Sequence, residues 1–149
     1  MALIDLVVPE VIKLPLESTD KPGVLRELVS VLHQAGRIQD FDTVLRAVQE
    51  REYKQSTGLE EGIAVPHGKT AAVSGLQLAI GIAPQGIDFN SLDGKPAKLF
   101  FLLVGSPDQS GPHVQALADV AKLARSKMFC RALIDAEDVQ QVVELIRSE

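Results

Sequence analysis

The stretch Leu99-Phe100-Phe101-Leu102-Leu103-Val104 decides the fold class of this chain. It is apolar at every position and β-prone, which predicts a central strand covered on both faces. A second strand is predicted from Leu76 to Ile82, where large apolar residues occupy every other position. These two strands form the middle of the sequence, and the remaining predicted elements lie on either side of them.

Helical patterns precede and follow this strand-rich middle. Because strands and helices do not alternate strictly, the pattern predicts an α/β fold with a mixed β-sheet flanked by helices on its faces. No linker-like segment divides the chain, so a single domain over residues 1–149 is expected. The predicted helices run from Pro22 to about Gly36, from Asp40 to about 51–53, from Pro112 onward, over Lys127–Ile134 and from Val139 onward, and short strands are predicted at 11–14, 63–65 and 87–89.

The composition of the 149 residues argues against several kinds of partner. Fifteen basic and 20 acidic residues give a net charge of -5, whereas a nucleic-acid-binding domain needs a basic surface. Three histidines and one cysteine leave little for a metal site and exclude an internal disulfide. The longest apolar run is far too short to span a bilayer, and the first residues lack a signal-peptide pattern. We therefore expect a cytoplasmic protein that inserts into no membrane.

His67 is the first candidate for chemistry, since it lies between Pro66 and Gly68 directly after a short apolar segment. Proline restricts the approaching backbone, and glycine allows another group to come close. A histidine in such a loop at a strand end is typically presented to a ligand. The alternative is an ordinary surface histidine, and spacing alone does not decide between the two.

His113 and Arg51 are weaker candidates. His113 begins a predicted helix, where the helix dipole favours a neutral imidazole and would favour binding of a phosphate. On its own, however, this position fits an ordinary helix-start histidine better. Arg51 ends the second helix, where most arginines are solvated; if the following loop folds back, Arg51 can bind an anion beside His67. His33 and Cys130 are interpreted as a surface residue and a buried structural thiol.

Several segments of the chain resemble one bacterial protein family. The residues Arg51-Glu52, Ser56-Thr57-Gly58 and Gly62-Ile63-Ala64-Val65-Pro66-His67-Gly68-Lys69 resemble the active-site signature of enzyme IIA of the phosphoenolpyruvate:sugar phosphotransferase system, in its fructose/mannitol/nitrogen branch. The segments 86–89 with 92–96, and 113–118, are similar to the mid-domain hairpin and the second-histidine helix of that family. The resemblance covers essentially the whole chain.

The resemblance implies that His67 is the residue that becomes phosphorylated. The donor would be the phosphorylated histidine-containing phosphocarrier protein, HPr, or its nitrogen-branch counterpart. His113 and Arg51 would be neighbours that stabilise the phosphoryl group, and Thr57 and Gly68 are candidates for positioning it. A neutral histidine can attack phosphorus directly, so neither a cofactor nor a metal ion is expected.

Two biological roles remain open at this level. The phosphoryl group could be used as a regulatory signal to a target protein, as in the nitrogen branch, or relayed to an enzyme IIB. The alternative is a sugar-specific, fructose- or mannitol-like enzyme IIA component of carbohydrate uptake. The histidine signature suits both roles, and we favour the regulatory one slightly.

Overall fold

A long antiparallel pair of strands forms the centre of the structure, a computed structural model that describes residues 3–148. The predicted domain of residues 1–149 also includes Met1, Ala2 and Glu149, which lie outside the described range. The strands are β1 (Ile12–Lys13), β2 (Ile63–Ala64), β3 (His67–Lys69), β4 (Leu76–Ile87) and β5 (Ala97–Gly105). The α-helices are α1 (Lys21–Gln34), α2 (Phe41–Lys54), α3 (Ser110–Ala124), α4 (Lys127–Ile134) and α5 (Val139–Arg147).

The sheet is mixed and open, as predicted. Its order is β1-β4-β5-β2, with β3 also paired to β5. β4 and β5 are antiparallel, β1 is parallel to β4, and both β2 and β3 are parallel to β5. β2 and β3 lie one after the other along the same edge of β5, with Ile63 opposite Leu99 and His67 opposite Leu103.

Helices cover both faces of the sheet, which explains why β5 is apolar at every position. Its side chains alternate between two cores, so that Phe100 packs with α1 and α2 while Phe101 packs with α3, α4 and α5. In β4 the large residues of the predicted alternation, from Leu76 to Ile82, all face the core formed with α3, α4 and α5. Gly81 faces the core formed with α1 and α2, where a Cβ atom would lie only 2.8 Å from a methyl group of Leu28.

Polar side chains define where the helices begin. Asp20, Asp40 and Asp138 each accept a hydrogen bond from a backbone N–H in the first turn of the following helix, α1, α2 or α5. Ser126 caps α4 in the same way. The start of α1 agrees with the prediction to within one residue, since Lys21 follows the Asp20 cap and Pro22 lies in the first turn. The predicted limits of α4 are confirmed.

Several boundaries differ from the predictions, and the separate strand predicted at 87–89 does not form. α3 begins at Ser110, before the predicted Pro112, because a 3-10 turn at Pro107–Gln109 leads directly into it. β4 continues to Ile87, since an irregular pairing beyond Ile82 carries the strand to a final pair with Ala97. His67 lies within a short strand and not in a loop, because pairing with β5 uses backbone groups that the side-chain pattern does not reveal. None of the helices within residues 3–148 combines the length and apolar content needed to cross a bilayer.

Candidate functional site

His67 lies where β3 pairs with the last part of β5 and packs beneath α2. The next residue, Gly68, is buried against the α2 backbone: a Cβ atom on it would lie 3.1 Å from the nitrogen of Val48 and 3.2 Å from the carbonyl carbon of Ala47. Only glycine allows this approach without displacing the helix. The glycine beside His67 therefore brings the end of the sheet close to α2, the helix that carries Arg51.

A hydrogen bond fixes the protonation of the His67 ring. Its Nδ1 lies 2.9 Å from the carbonyl oxygen of Val65. Because a carbonyl oxygen can only accept, Nδ1 carries the proton and donates it, which leaves the lone pair of neutral His67 on Nε2. The ring is half-buried, so Nε2 belongs to an imidazole that is both oriented and partly shielded from water.

The surroundings of His67 keep it neutral. Burial, the largest effect, lowers the pKa of His67 below its ordinary value of 6.5, and the positive charges of Arg51 and Lys69 lower it further. The hydrogen bond to Val65 and the negative charge of Glu52 act in the opposite direction. The net shift is downward, so the unprotonated Nε2 is the dominant form at neutral pH.

His113 lies beside His67 although the two come from distant parts of the chain. Their ring centroids are 5.6 Å apart and the ring planes meet at 65°. His113 is in the first turn of α3, is only 2% exposed, and finds no hydrogen-bond partner for either ring nitrogen among the described residues. Burial lowers the pKa of His113 to about 4, with further contributions from nearby His67 and Lys69. It is therefore a neutral, buried imidazole, as its predicted place at a helix start suggested.

Contacts at the start of α3 hold His113 in place. The ammonium group of Lys69 in β3 donates to the hydroxyl of Ser110, the first residue of α3, at 3.2 Å. Gly105, at the end of β5, lies beside the His113 ring: a Cβ atom there would lie 3.6 Å from its Nδ1. The ends of the paired strands β3 and β5 therefore lie next to the two imidazoles.

Arg51 is near enough to His67 to affect its pKa. It lies in the last turn of α2 and is half-buried. One guanidinium nitrogen, Nη1, donates to the carbonyl oxygen of Gln55 at 2.8 Å. The chain after α2 turns back, so the charge of Arg51 acts on His67, whose ring contacts that of His113.

Thr57 has a supporting position at the edge of this neighbourhood. Its backbone N–H donates to Glu52 Oε2 at 2.8 Å and its hydroxyl donates to Oε1 at 2.5 Å. Both donors of Thr57 therefore already have an acceptor within the chain. A direct bond from Thr57 to a phosphoryl group stays a prediction that requires one of these bonds to open.

Glu52 is the residue to which the sequence analysis gave no role. It is 6% exposed, and Lys21 Nζ lies 2.9 Å from its Oε2. A signal for it exists in the sequence: Glu52 follows Val44 and Val48 at four-residue intervals, so it continues the apolar stripe of α2. A carboxylate on that stripe needs partners, which the spacing alone does not identify.

The remaining candidate residues lie outside this neighbourhood. His33 is exposed near the end of α1 and meets Phe41 edge to face. Cys130 is buried in α4, where burial raises the pKa of its thiol. Within residues 3–148, no three His, Cys, Asp or Glu side chains are grouped so that they could hold a metal ion.

Comparison with known proteins identifies the family. The family described as "Phosphoenolpyruvate-dependent sugar phosphotransferase system, EIIA 2" matches residues 5–149. The chain belongs to this EIIA family. This match confirms the family that the active-site signature resembled.

Relatives within the EIIA family carry names of two kinds. The chain is 36% identical over 146 residues to the fructose-specific EIIABC component of Bacillus subtilis, covering 98% of this chain but only 23% of that protein. It is 34% identical to the fructose-specific EIIA component of Haloferax volcanii, covering 92% and 89% of the two chains. It is 30% identical to a nitrogen regulatory protein of Bradyrhizobium diazoefficiens, covering 98% and 95%.

Solved EIIA structures share the fold. The nitrogen regulatory protein IIA-Ntr of Neisseria meningitidis superimposes with a TM-score of 0.89 at 25% identity, over 97% of this chain and 98% of that one. The mannitol IIA of Escherichia coli, solved in complex with phosphorylated IIB, superimposes with a TM-score of 0.80 at 22% identity, over 94% and 96%. The α/β architecture is therefore that of EIIA proteins.

Proposed function

We propose that this protein is a phosphocarrier that accepts a phosphoryl group on Nε2 of His67. The observation that carries the proposal is the hydrogen bond from Nδ1 to Val65, which leaves the Nε2 lone pair available in a neutral ring. Membership of the EIIA family supports phosphoryl transfer as the reaction class. The proposed donor is the phosphohistidine of an HPr-type carrier or its nitrogen-branch counterpart.

The proposed step exchanges one phosphorus–nitrogen bond for another. Nε2 of His67 attacks phosphorus, and the donor's phosphorus–nitrogen bond breaks with its electron pair returning to the donor imidazole. No proton is transferred when each phosphohistidine holds a proton on its second ring nitrogen. The bond to Val65 suits this, since it keeps the proton on Nδ1 before and after transfer.

His113 and Arg51 have complementary proposed roles. Catalysis of phosphoryl transfer depends on positioning and on stabilising negative charge spread over three oxygens. The guanidinium of Arg51 would supply positive charge and a planar pair of donors. His113, whose ring nitrogens have no partner within residues 3–148, would donate one hydrogen bond to the phosphoryl group. Gly68 would leave space next to the phosphorylated ring.

Phosphate uptake by the purified protein tests this proposal. Incubation with phosphoenolpyruvate, the general phosphotransferase enzyme and HPr should give one acid-labile phosphate per chain, measured by intact mass spectrometry and phosphorus NMR. His67→Ala should abolish uptake. The control is His33→Ala, which removes an exposed histidine and should leave uptake unchanged. Wild-type uptake in His67→Ala would refute the assignment.

Two acceptors downstream of His67 are compatible with the relatives. The phosphoryl group could pass to an enzyme IIB, as the fructose-specific names of some relatives suggest. Alternatively, the phosphorylated and free forms could bind a target protein differently, in keeping with relatives named nitrogen regulatory protein. We propose the cytoplasm as the compartment in either case, in agreement with a lone, unpaired cysteine.

Two measurements separate these roles. Transfer of label from the phosphorylated protein to the cysteine of a cognate IIB, at a rate similar to uptake from HPr, favours sugar transport. Capture of a target that binds the free protein but not the phosphorylated protein favours regulation. His67→Ala serves as the permanently unphosphorylated form in both assays.

A further inference from the structure

We propose that Glu52, together with Lys21, is a positioning residue that holds His67 in the Nδ1–H tautomer needed for phosphoryl transfer. This inference rests on the proposed function of His67. A continuous series of hydrogen bonds leads from a buried ion pair through one short hairpin to the imidazole of His67.

The first link is the buried carboxylate itself. Glu52 is 6% exposed in the last turn of α2, where the helix dipole disfavours a negative charge. An ionised carboxylate is tolerated there only when it is paired and hydrogen-bonded. Lys21, at the start of α1, supplies the charge at 2.9 Å, and Thr57 supplies two donors. The carboxylate is therefore fully engaged between two helices and the segment after α2.

Lys21 is itself held in place from several sides. Its Nζ lies 4.5 Å from the centre of the Phe89 ring, and it donates to the Phe89 carbonyl oxygen at 3.2 Å and to the Ser56 hydroxyl at 3.3 Å. The side chain is 18% exposed. The position of Glu52 is thus fixed by a cation with little freedom to move.

The second link is a small hairpin that begins at Thr57. The carbonyl oxygen of Thr57 accepts from the N–H of Val65 at 3.0 Å, and the N–H of Leu59 donates to Ile63 at 2.7 Å. Gly58 and Ala64 form an antiparallel bridge between these bonds. Glu52 therefore holds one arm of the hairpin to α2, and the other arm ends at Val65.

The third link is the acceptor of the His67 proton. The same Val65 whose N–H binds Thr57 offers its carbonyl oxygen to Nδ1 of His67. On the far side, the N–H of Leu103 in β5 binds the carbonyl oxygen of Pro66 at 3.0 Å. The backbone before His67 is thus held between β5 and the hairpin. If Glu52 releases Thr57, the Val65 carbonyl loses its support on one side and the ring is free to adopt either tautomer.

The electrostatic contribution of Glu52 has the sign that this role requires. Arg51 and Lys69 disfavour positive charge on His67, whereas Glu52 favours it. In the step described above the ring keeps its Nδ1 proton while Nε2 bonds to phosphorus, so the phosphorylated imidazole is cationic. A fixed carboxylate nearby therefore stabilises the cationic ring without touching the reacting atoms.

The test combines NMR of the His67 ring with phosphoryl-transfer rates. Long-range proton–nitrogen spectra of nitrogen-15 histidine-labelled protein report which ring nitrogen bears the proton. Glu52→Gln removes the charge, and Thr57→Val removes only the hydroxyl while leaving the Lys21–Glu52 pair intact. We expect both to lower the fraction of Nδ1–H tautomer and to slow transfer from HPr roughly 10- to 100-fold. Thr57→Ser, which keeps a hydroxyl, should have the wild-type tautomer fraction and the wild-type transfer rate.

Glu27 offers a matched control. The carboxylate of Glu27 accepts hydrogen bonds from the backbone N–H groups of Glu17 and Ser18 and from the hydroxyl of Ser18, at 2.7–3.1 Å. These residues lie outside the site. Glu27→Gln should therefore lower stability without changing the His67 tautomer or the transfer rate. Should Glu52→Gln not fold, Thr57→Val and the double variant Lys21→Met/Glu52→Gln, which removes both buried charges, carry the test.

The outcomes distinguish this inference from the proposed function. Folded Glu52→Gln and Thr57→Val proteins with wild-type tautomer and rate would overturn the positioning role. A slower rate with an unchanged tautomer would overturn it too, because it would indicate a general structural effect. Wild-type protein that takes up no phosphate on His67 would refute the proposed function, whereas the tautomer measurement would still judge the link from Glu52 to His67.

Discussion

The imidazole rings of His67 and His113 meet edge to face, with centroids 5.6 Å apart. The two rings have opposite hydrogen-bonding situations: Nδ1 of His67 is bound to Val65, whereas neither nitrogen of His113 has a partner among residues 3–148. A phosphoryl group on His67 would provide His113 with an acceptor. If His67 is phosphorylated as proposed, the unpartnered His113 would gain a hydrogen bond that the free state lacks.

Replacement of His113 should stabilise the protein while slowing its reaction. A buried polar group without partners costs about 1–3 kcal/mol, so the similarly sized leucine should raise the free energy of unfolding by about 1 kcal/mol. The same change removes a donor to the phosphoryl group, and uptake from HPr should slow about 10-fold or more. Urea unfolding at pH 7 and rapid-quench transfer assays measure the two effects. A destabilised His113→Leu protein with normal transfer would contradict both.

Stability should fall as the pH is lowered from 6.5 towards 4. The pKa of His113 is about 4 in the folded chain, against an ordinary value of 6.5, so the unfolded chain binds more protons in this interval. This histidine alone should remove about 3 kcal/mol of unfolding free energy by pH 4. His113→Leu should lose that much less over the same interval, and parallel pH profiles for the two proteins would argue against the assignment.

Uptake of phosphate should change little with pH above 6.5. The pKa of His67 is lowered, chiefly by burial, so its Nε2 stays unprotonated at neutral pH and becomes protonated only in more acidic solution. The second-order rate of transfer should therefore be flat from pH 6.5 to 8 and fall below that range. Nitrogen-15 titration of His67 gives the pKa directly, and a value above 6.5 would be inconsistent with the described burial.

Arg51 should be needed for transfer and not for folding. Arg51→Gln removes the positive charge near His67, and we expect transfer to slow about 100-fold, as for loss of one strong donor in a preorganised site. Arg51→Lys should recover only part of the rate, because an ammonium group lacks the planar pair of donors. Lys54→Gln, at an exposed basic residue in the same helical turn, is the control. Equal rates for Arg51→Gln and Lys54→Gln would exclude the role.

Gly68→Ala should damage both packing and reactivity. Its Cβ atom would lie 3.1 Å from the Val48 nitrogen, and a helix backbone cannot yield as a flexible side chain does. We expect a loss of about 1–3 kcal/mol in unfolding free energy and a slower transfer, since β3 must move away from α2 together with His67. Gly111→Ala, where a Cβ atom meets nothing within 4 Å, is the matched control. Similar stability for the two variants would contradict the close approach.

The sequence by itself determined the fold class and the family. The short, β-prone apolar run Leu99–Val104 predicted a strand covered on both faces, and helical spacing around it indicated the layers on either side. Local patterns also located the start of α1, because a cap such as Asp20 acts within one turn. The signature around His67 was sufficient for the family, since it depends on neighbouring residues alone.

Only the tertiary structure decided the features that depend on contacts between residues distant in the sequence. It placed His67 in a strand, because β3 is defined by its partner β5 and not by its own side chains. It brought His113 beside His67, and it gave the buried Glu52 its partners from α1 and from the hairpin. Sequence spacing specifies which residues share a helix face or strand, whereas the distance between separate elements depends on how the sheet and both helical layers pack together.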